Sequence, residues 1–367
     1  MRILNVTTIR EWRGGDNQMY NIFKLLEAKT DLKQFILCTE DSVLAGKCAS
    51  DNAACFTYRR FRKFKHLNAI RKIITIVRNE NIDIVHVHDS SALNAALIAC
   101  YMLPKKTRLV LSRKRNNRIK PLLLNHFKYS HPRIAKIISV SNAVASIFDR
   151  IIKNKDRLLT IYDGIDVDKF ANKERMRLIH EEFSIDDNSM IIGNIAGLTH
   201  QKDLFTFLDT AKEIKERAPN KKLKYVIVGD GPLRNELETY AAFLGMSNEI
   251  IFAGFRNDIA DLLPEFDVLL LTSVSEGLPL TIYEAFSSRV PVVATDAGGI
   301  KEVITDYETG FVTKVGEPEE LANRVLEILD NNSLANEIRE KAFNLVKNNH
   351  DLPVVKENYY RFYKSLA

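Results

Sequence analysis

The sequence predicts an α/β protein made of two Rossmann-like, doubly wound domains. Three observations carry this expectation. Short apolar runs alternate with helical patterns through both halves of the chain, as in parallel sheets with crossover helices. Several runs end in glycine-containing turns that open a helix, at Gly14-Gly15, Gly229-Asp230-Gly231 and Ser275-Glu276-Gly277. A chain of 367 residues also has room for two cores.

Arg2–Thr7 reads as the first strand, and a helix is expected from about Met19 to Ala28. Between them lies a loop in which Gly14 and Gly15 let backbone approach a phosphate closely. Phe35–Thr39, Ile82–Val87, Leu109–Ser112 and Ile137–Val140 read as further strands. His86 and His88 flank Val87 and share a face at a period of two. A third ligand is not evident near them, so no metal site is read there. Ser141 or Asn142 caps the next helix.

A polar stretch from Ala171 to Asn188 connects to a second core that starts near Met190. Met190–Ile195 is a strand, and the loop Ala196–Asp203 opens a helix. The strand ending at Val228 leads through Gly229-Asp230-Gly231-Pro232 into another helix. Arg234 stands where a dinucleotide fingerprint has its third glycine, which argues against a nicotinamide dehydrogenase. The strand ending at Gly254 precedes Phe255 and Arg256, and Asp258 reads as a helix cap. Val268–Leu271 is a buried strand. Ala297-Gly298-Gly299 reads as the start of a helix and Gly310–Val312 as a short strand. Two helical patterns then precede an amphipathic, aromatic-rich segment, Val355–Ala367.

The chemistry gathers at Ser273–Phe286. Gly277 allows a tight turn and Pro279 suits the first position of a helix. Glu284 then lies about one and a half turns in, at about 3.6 residues per turn, with Glu276 in the preceding loop. Unpaired N–H groups at a helix start hold anions such as phosphate. A carboxylate accepts two hydroxyl hydrogen bonds from a sugar diol. The stretch reads as a site for a phosphorylated sugar compound. Without context, two glutamates at this spacing read first as solvated charges, since most glutamates are simply exposed.

Glu276-Gly-Leu-Pro-Leu, Glu284-Ala-Phe and Pro291–Gly299 together resemble the donor site of retaining glycosyltransferase family 4, with its Glu-x7-Glu motif. Gly14-Gly15, His86-x-His88, Ser139–Asn142, Ile161–Asp166 and Val228-Gly-Asp-Gly-Pro232 extend the resemblance along nearly the whole chain. It implies the GT-B architecture, two Rossmann-like domains facing across a cleft. Residues 1–168 would form the acceptor-side domain, with a final helix 354–367 packing back on it. Residues 169–353 would bind the nucleotide sugar.

The implied activity is transfer of a hexosyl-type sugar, with retention, from a nucleotide-diphosphate sugar to a saccharide acceptor. A lipopolysaccharide-core or lipid-linked glycan is the expected acceptor. Glu276 and His88 are the implied catalytic residues, with His88-Asp89 on the acceptor side. Glu276, Gly277, Leu278, Pro279 and Glu284, with Gly14, Gly15, Arg113, Lys202, Gly231, Phe255 and Arg256, are the implied donor contacts. The scheme requires no metal and no cofactor. Two departures stand out. Asp163 occupies a position where asparagine is usual. Gly197 occupies that of an arginine that grips the pyrophosphate, leaving Lys202 with Arg113 or Arg115 as its substitutes. The alternatives are another GT-B enzyme, such as a sugar-nucleotide epimerase, or a non-catalytic sugar-nucleotide-binding scaffold.

Cys38, Cys48, Cys55 and Cys100 show no Cys-x2-Cys spacing, which fits a reducing compartment rather than a disulfide framework or zinc site. The start of the chain does not read as a signal peptide. No apolar run approaches the eighteen or so residues that a membrane span needs. The expected location is cytoplasmic and peripheral on the inner face of the plasma membrane. An acid-free basic run with interleaved aromatics, Arg59–Lys72, is the expected contact with an anionic membrane surface; a solvated helix face is the alternative. Nucleic acid is not the expected partner.

Overall fold

A computed structural model describes residues 1–11, 14–60 and 66–366. The chain folds as two units, Met1–Asp163 with Pro353–Ala367, and Gly164–Leu352.

In the first unit the chain runs β1 (Arg2–Val6), α1 (Gly14–Leu26), β2 (Lys33–Thr39), α2 (Val43–Ser50), β3 (Cys55–Tyr58), α3 (Leu67–Asn79), β4 (Ile84–Val87) and α4 (Ser90–Ala99). It continues through β5 (Arg108–Arg113), α5 (Leu123–Tyr129), β6 (Ile134–Ser139), α6 (Asn142–Ser146) and β7 (Leu158–Thr160). Among the described residues the sheet has seven parallel strands in the order β3-β2-β1-β4-β5-β6-β7. Strand order reverses between β1 and β4, and ligands of such sheets bind beyond the strand ends at that point.

The second unit runs α7 (Val167–Phe170), α8 (Leu178–Glu182), β8 (Met190–Ile195), α9 (Leu204–Arg217), β9 (Leu223–Val228), α10 (Arg234–Phe243), β10 (Ile250–Gly254) and α11 (Ile259–Leu262). It continues through β11 (Val268–Leu271), α12 (Leu280–Ser287), β12 (Val292–Thr295), β13 (Phe311–Thr313), α13 (Pro318–Asp330) and α14 (Asn332–Asn349). Its six described strands are also parallel, in the order β10-β9-β8-β11-β12-β13, with the reversal between β8 and β11. Both sheets are covered on two faces, so the central strands β4 and β11 are buried at every residue. The last helix, α15 (Leu352–Lys364), sets Val355, Tyr359, Phe362 and Tyr363 against Ile3, Ile22, Ile84 and Val110 of the first unit.

Several elements differ from the sequence reading, each for a physical reason. Helix α1 starts at Gly14, not Met19, because its first turn is polar and only Met19, Tyr20, Ile22, Phe23 and Leu26 face cores. Strands β3 and β7 escape the apolar pattern because they are the edges of their sheet, and most of their residues are half-buried or exposed. Past Gly299 there is one 3-10 turn, Ile300–Glu302, rather than a longer helix. The β-branched Val303, Ile304 and Thr305 follow it at once. Pro279 is the extended residue capping α12, one position before the expected one. Ser141 caps α6 by accepting from Val144 N–H at 3.2 Å.

Candidate active site

At the β8/β11 reversal two loops are tied together residue by residue. Leu198 is fully buried. Its N–H donates to Asp230 O at 3.1 Å and its carbonyl accepts from Leu233 N–H at 3.2 Å. This close packing explains two glycines of the β9–α10 turn. A Cβ on Gly229, which has φ +137°, would fall 1.9 Å from Ala196 O, and one on Gly231 would fall 2.6 Å from Leu198 O. Loop packing by itself therefore requires a glycine at Gly231.

From the other side, Thr272 Oγ1 donates to the carbonyls of Lys202 (3.1 Å) and Asp203 (2.9 Å). Gln201 Nε2 donates to Ser275 O at 2.6 Å, and Gln201 O accepts from Val274 N–H at 2.9 Å. The result places Lys202 Nζ 2.5 Å from Glu276 Oε1, which also accepts from Ser273 Oγ at 2.7 Å. Glu276 is thus a buried carboxylate held by a cation and a hydroxyl. Gly277 O accepts from Gly299 N–H at 3.1 Å, anchoring the turn before α12. Leu278 is buried behind that turn. Pro279 gives α12 no side-chain cap; Ile282 N–H turns back to Pro279 O at 3.2 Å, and a helix start left without a side-chain cap suits an anion.

Glu284 is the fifth residue of α12. Its carboxyl pKa is pushed up to about 7 by burial, with Lys169 pulling the other way. Among the described residues none hydrogen-bonds this carboxyl. Of the remaining second-unit candidates, Phe255 is exposed. Arg256 is held by Asp258 at 2.7 Å and Glu182 at 2.5 Å. Asp258, an expected helix cap, instead gives both carboxylate oxygens to Arg256 and makes no cap bond. Around Gly197 the space is open, with Asp230 O at 3.8 Å from the position of a Cβ.

In the first unit, the β1/β4 reversal carries Gly14, Gly15 and His88. The rings of His86 and His88 lie 4.2 Å apart. His86 is fully buried between Tyr363 Oη (2.6 Å) and Ser112 Oγ (2.8 Å), and burial drops its pKa to about 3. His88 is likewise pushed well below the ordinary histidine range, first by burial and then by His86 and Lys114. Its Nε2 meets Asn5 Oδ1 at 3.1 Å, and its Nδ1 has no hydrogen bond among the described residues. With its pKa so lowered, the neutral imidazole is a weak base, and its bare Nδ1 is a buried hydrogen-bond acceptor. Asp89, expected to face an acceptor, instead accepts from Thr8 N–H (2.6 Å), Thr8 Oγ1 (2.8 Å) and the N–H groups of Ser91 and Ala92 (both 2.8 Å). It is a helix cap and loop tie.

Arg113 donates through Nη2 to Asn117 O at 2.8 Å, within its own loop, while Arg115 is exposed. Of the Arg59–Lys72 run, Phe61–Lys65 lie outside the described residues. Arg59 stands 3.6 Å from Glu40, and Arg71 and Lys72 are exposed on α3.

Sequence reasoning missed Lys114. Its Nζ donates to Gly15 O at 3.1 Å and stands 3.6 Å from Asp163 Oδ1, with both side chains largely buried. Burial raises the Asp163 pKa more than Lys114 lowers it. The aspartate at an asparagine position was the available signal, because a buried carboxylate demands a partner. Lys169 beside Glu284 left no such trace.

Two parallel sheets of Rossmann order, each with glycine turns at its reversal point, define a GT-B glycosyltransferase fold. The family described as glycosyl transferases group 1 matches residues 176–345, and glycosyltransferase family 4 matches residues 43–169. A UDP-Gal:α-D-GlcNAc-diphosphoundecaprenol α-1,3-galactosyltransferase of Escherichia coli is 25% identical over 331 residues, covering 85% of each chain. An N-acetyl-α-D-glucosaminyl L-malate synthase of Bacillus anthracis is 25% identical over 276 residues, covering 74% of this chain and 71% of the relative. Among solved structures, Anabaena HepE in complex with UDP superposes with a TM-score of 0.87 at 20% identity, each chain covered fully. A glycosyltransferase from Rickettsia africae gives a TM-score of 0.88 at 22% identity, with coverage of 100% and 98%. The chain belongs to the group 1/family 4 glycosyltransferases.

Proposed function

We propose that this glycosyltransferase moves a hexosyl-type sugar from a nucleotide-diphosphate sugar to a saccharide acceptor with retention of configuration. The second unit holds the donor and the first the acceptor. Glu284 binds the ribose hydroxyls. Glu276 binds hydroxyls of the donor sugar and orients the reacting carbon. Lys202 and the start of α12 stabilise the diphosphate as it leaves. The acceptor hydroxyl attacks from the face the diphosphate departs, and the diphosphate takes its proton. His88 orients the acceptor. The scheme needs neither metal nor cofactor. A lipid-linked or lipopolysaccharide-core glycan is the acceptor class. The protein would then work in the cytoplasm, peripherally on an anionic leaflet, with Arg59–Lys72 as one contact. No helix among the described residues is long and apolar enough to cross a membrane.

The observation that carries this reading is Glu284, a half-buried carboxyl in the second turn of α12 whose pKa burial pushes up to about 7 and which has no hydrogen bond among the described residues. Such a group is stabilised in its ionised form when a diol donates to it. A thermal-shift screen of nucleotide sugars tests the reading. UDP sugars come first, because UDP and UDP-glucose occupy HepE structures. A donor at a hundred times its Kd adds about 2.7 kcal/mol, several degrees in Tm. Nucleoside diphosphate should then be released only when acceptor is added. A screen in which no nucleotide sugar stabilises the protein would overturn the reading.

A further inference from the structure

Helix α5 is built the wrong way round for a helix facing water. Its buried side is small: Tyr129 packs edge-on against Phe148 at 5.3 Å between ring centres, and His126 Nδ1 pairs with Ile151 O at 2.9 Å. Its other side is apolar. Leu122, Leu123, Leu124 and Phe127 are 57, 71, 80 and 67% exposed. Leu123 and Leu124 lie four and three residues before Phe127, so these side chains share one helical face. Scattered exposed leucines need no explanation, but a ridge of four adjacent apolar side chains does.

Charge names what covers the ridge. From Ser90 to Phe148 the sequence has eleven lysines and arginines and no acid, in a chain whose net charge is +6. Arg118 and Lys120 lie just before the ridge, exposed, and neither forms an ion pair among the described residues. Apolar side chains rimmed by unpaired cations match the boundary of an anionic bilayer, where acyl chains meet phosphate headgroups. A second copy of this chain, at a net charge of +6, would bring more cations than counter-charges to the ridge.

We propose that the α5 ridge, Leu122–Phe127 with Arg118 and Lys120, docks the first unit on an anionic membrane surface. The leucines and Phe127 enter the headgroup region, and the cations rest on the lipid phosphates. This surface is distinct from Arg59–Lys72. It does not depend on the transfer reaction, because vesicle binding is measured without donor or acceptor.

The test is flotation of the full chain with vesicles of phosphatidylcholine alone and of phosphatidylcholine mixed with phosphatidylglycerol. The parent should float with the mixed vesicles and lose that binding as salt rises. Leu123→Ser/Leu124→Ser/Phe127→Ser should lower the partition about tenfold or more at every salt concentration, since each exposed apolar group adds to insertion. Arg118→Gln/Lys120→Gln should lower it several-fold, and only with anionic vesicles. Unchanged Tm for both variants, expected because every changed residue is exposed, separates lost docking from lost folding. Three results would overturn the proposal. One is a parent that floats with neither vesicle. Another is a serine variant that floats like the parent while Arg60→Gln/Arg62→Gln/Lys63→Gln does not. The third is a parent dimer in solution that the serine variant dissolves, which would make the ridge a contact between copies.

Discussion

The two units share one strand order and differ in what they do with the polar residues at its reversal point. In the first, most such groups are consumed by the fold, with His88 Nδ1 the exception. Asp89 caps α4 and ties Thr8, Lys114 joins Gly15 to Asp163, and His86 is held by Tyr363 and Ser112. In the second, Lys202 and Ser273 hold Glu276 on one oxygen, and the Glu284 carboxyl has no hydrogen bond among the described residues. Saturated polar groups fix a backbone, whereas a half-buried carboxyl without a protein partner is left to accept a ligand's hydroxyls. The same architecture thus gives a rigid platform in one unit and a receptive site in the other.

The contrast breaks most visibly at Lys114. Lys114→Met strands a buried carboxylate and should destabilise the chain by about 2–4 kcal/mol in denaturant titrations. Adding Asp163→Asn to that variant should recover at least half, because no charge is then left unpaired; additive losses would show that the pair is not coupled. Next in size is Glu276→Ala, which should lower kcat about a hundredfold, or about 2.7 kcal/mol, while free nucleoside diphosphate binds within about twofold of the parent. An equal loss in both measurements would give Glu276 a nucleotide-binding role instead. Smaller again, Lys202→Ala should raise the donor's Kd about tenfold, about 1.4 kcal/mol, through one lost charge-assisted bond. Gly197→Arg has open space around it and should keep or improve donor affinity. Weaker binding in that variant would mean the loop has no room for a pyrophosphate grip.

Much of this was legible in the sequence because turns and buried strands follow local rules. The Val268–Phe286 stretch announced a strand, a glycine turn and a helix, and the structure has all three. Edge strands β3 and β7 were not read, since they are only four and three residues long and half-buried or exposed at most positions. Side-chain partnerships were the least legible. Lys114 sat in a basic run whose members look alike in sequence. Only the sheet decides that Lys114 turns inward to Gly15 while Arg115 faces solvent. Nor does spacing foretell that Lys202 meets Glu276, 74 positions away.

The pH dependence of donor binding is the most direct test. Glu284 has a folded-state pKa raised to about 7 from an ordinary 4.5, so its neutral form dominates below that pH in the free protein. Folding stability from this group is full below about 4.5 and is lost as pH rises through about 7. Donor binding runs the opposite way, because the ionised carboxyl accepts both ribose hydroxyls. The measurement is the Kd of an intact nucleotide sugar, whose diphosphate bears no proton in this range, followed by calorimetry from pH 8 to pH 6. Affinity should be level above about 7 and weaken by up to about tenfold by pH 6, while Glu284→Gln should bind more weakly with no pH dependence. A parent whose affinity is flat across that range, or a Glu284→Gln variant with the parent's slope, would contradict the assignment of Glu284 to the donor site.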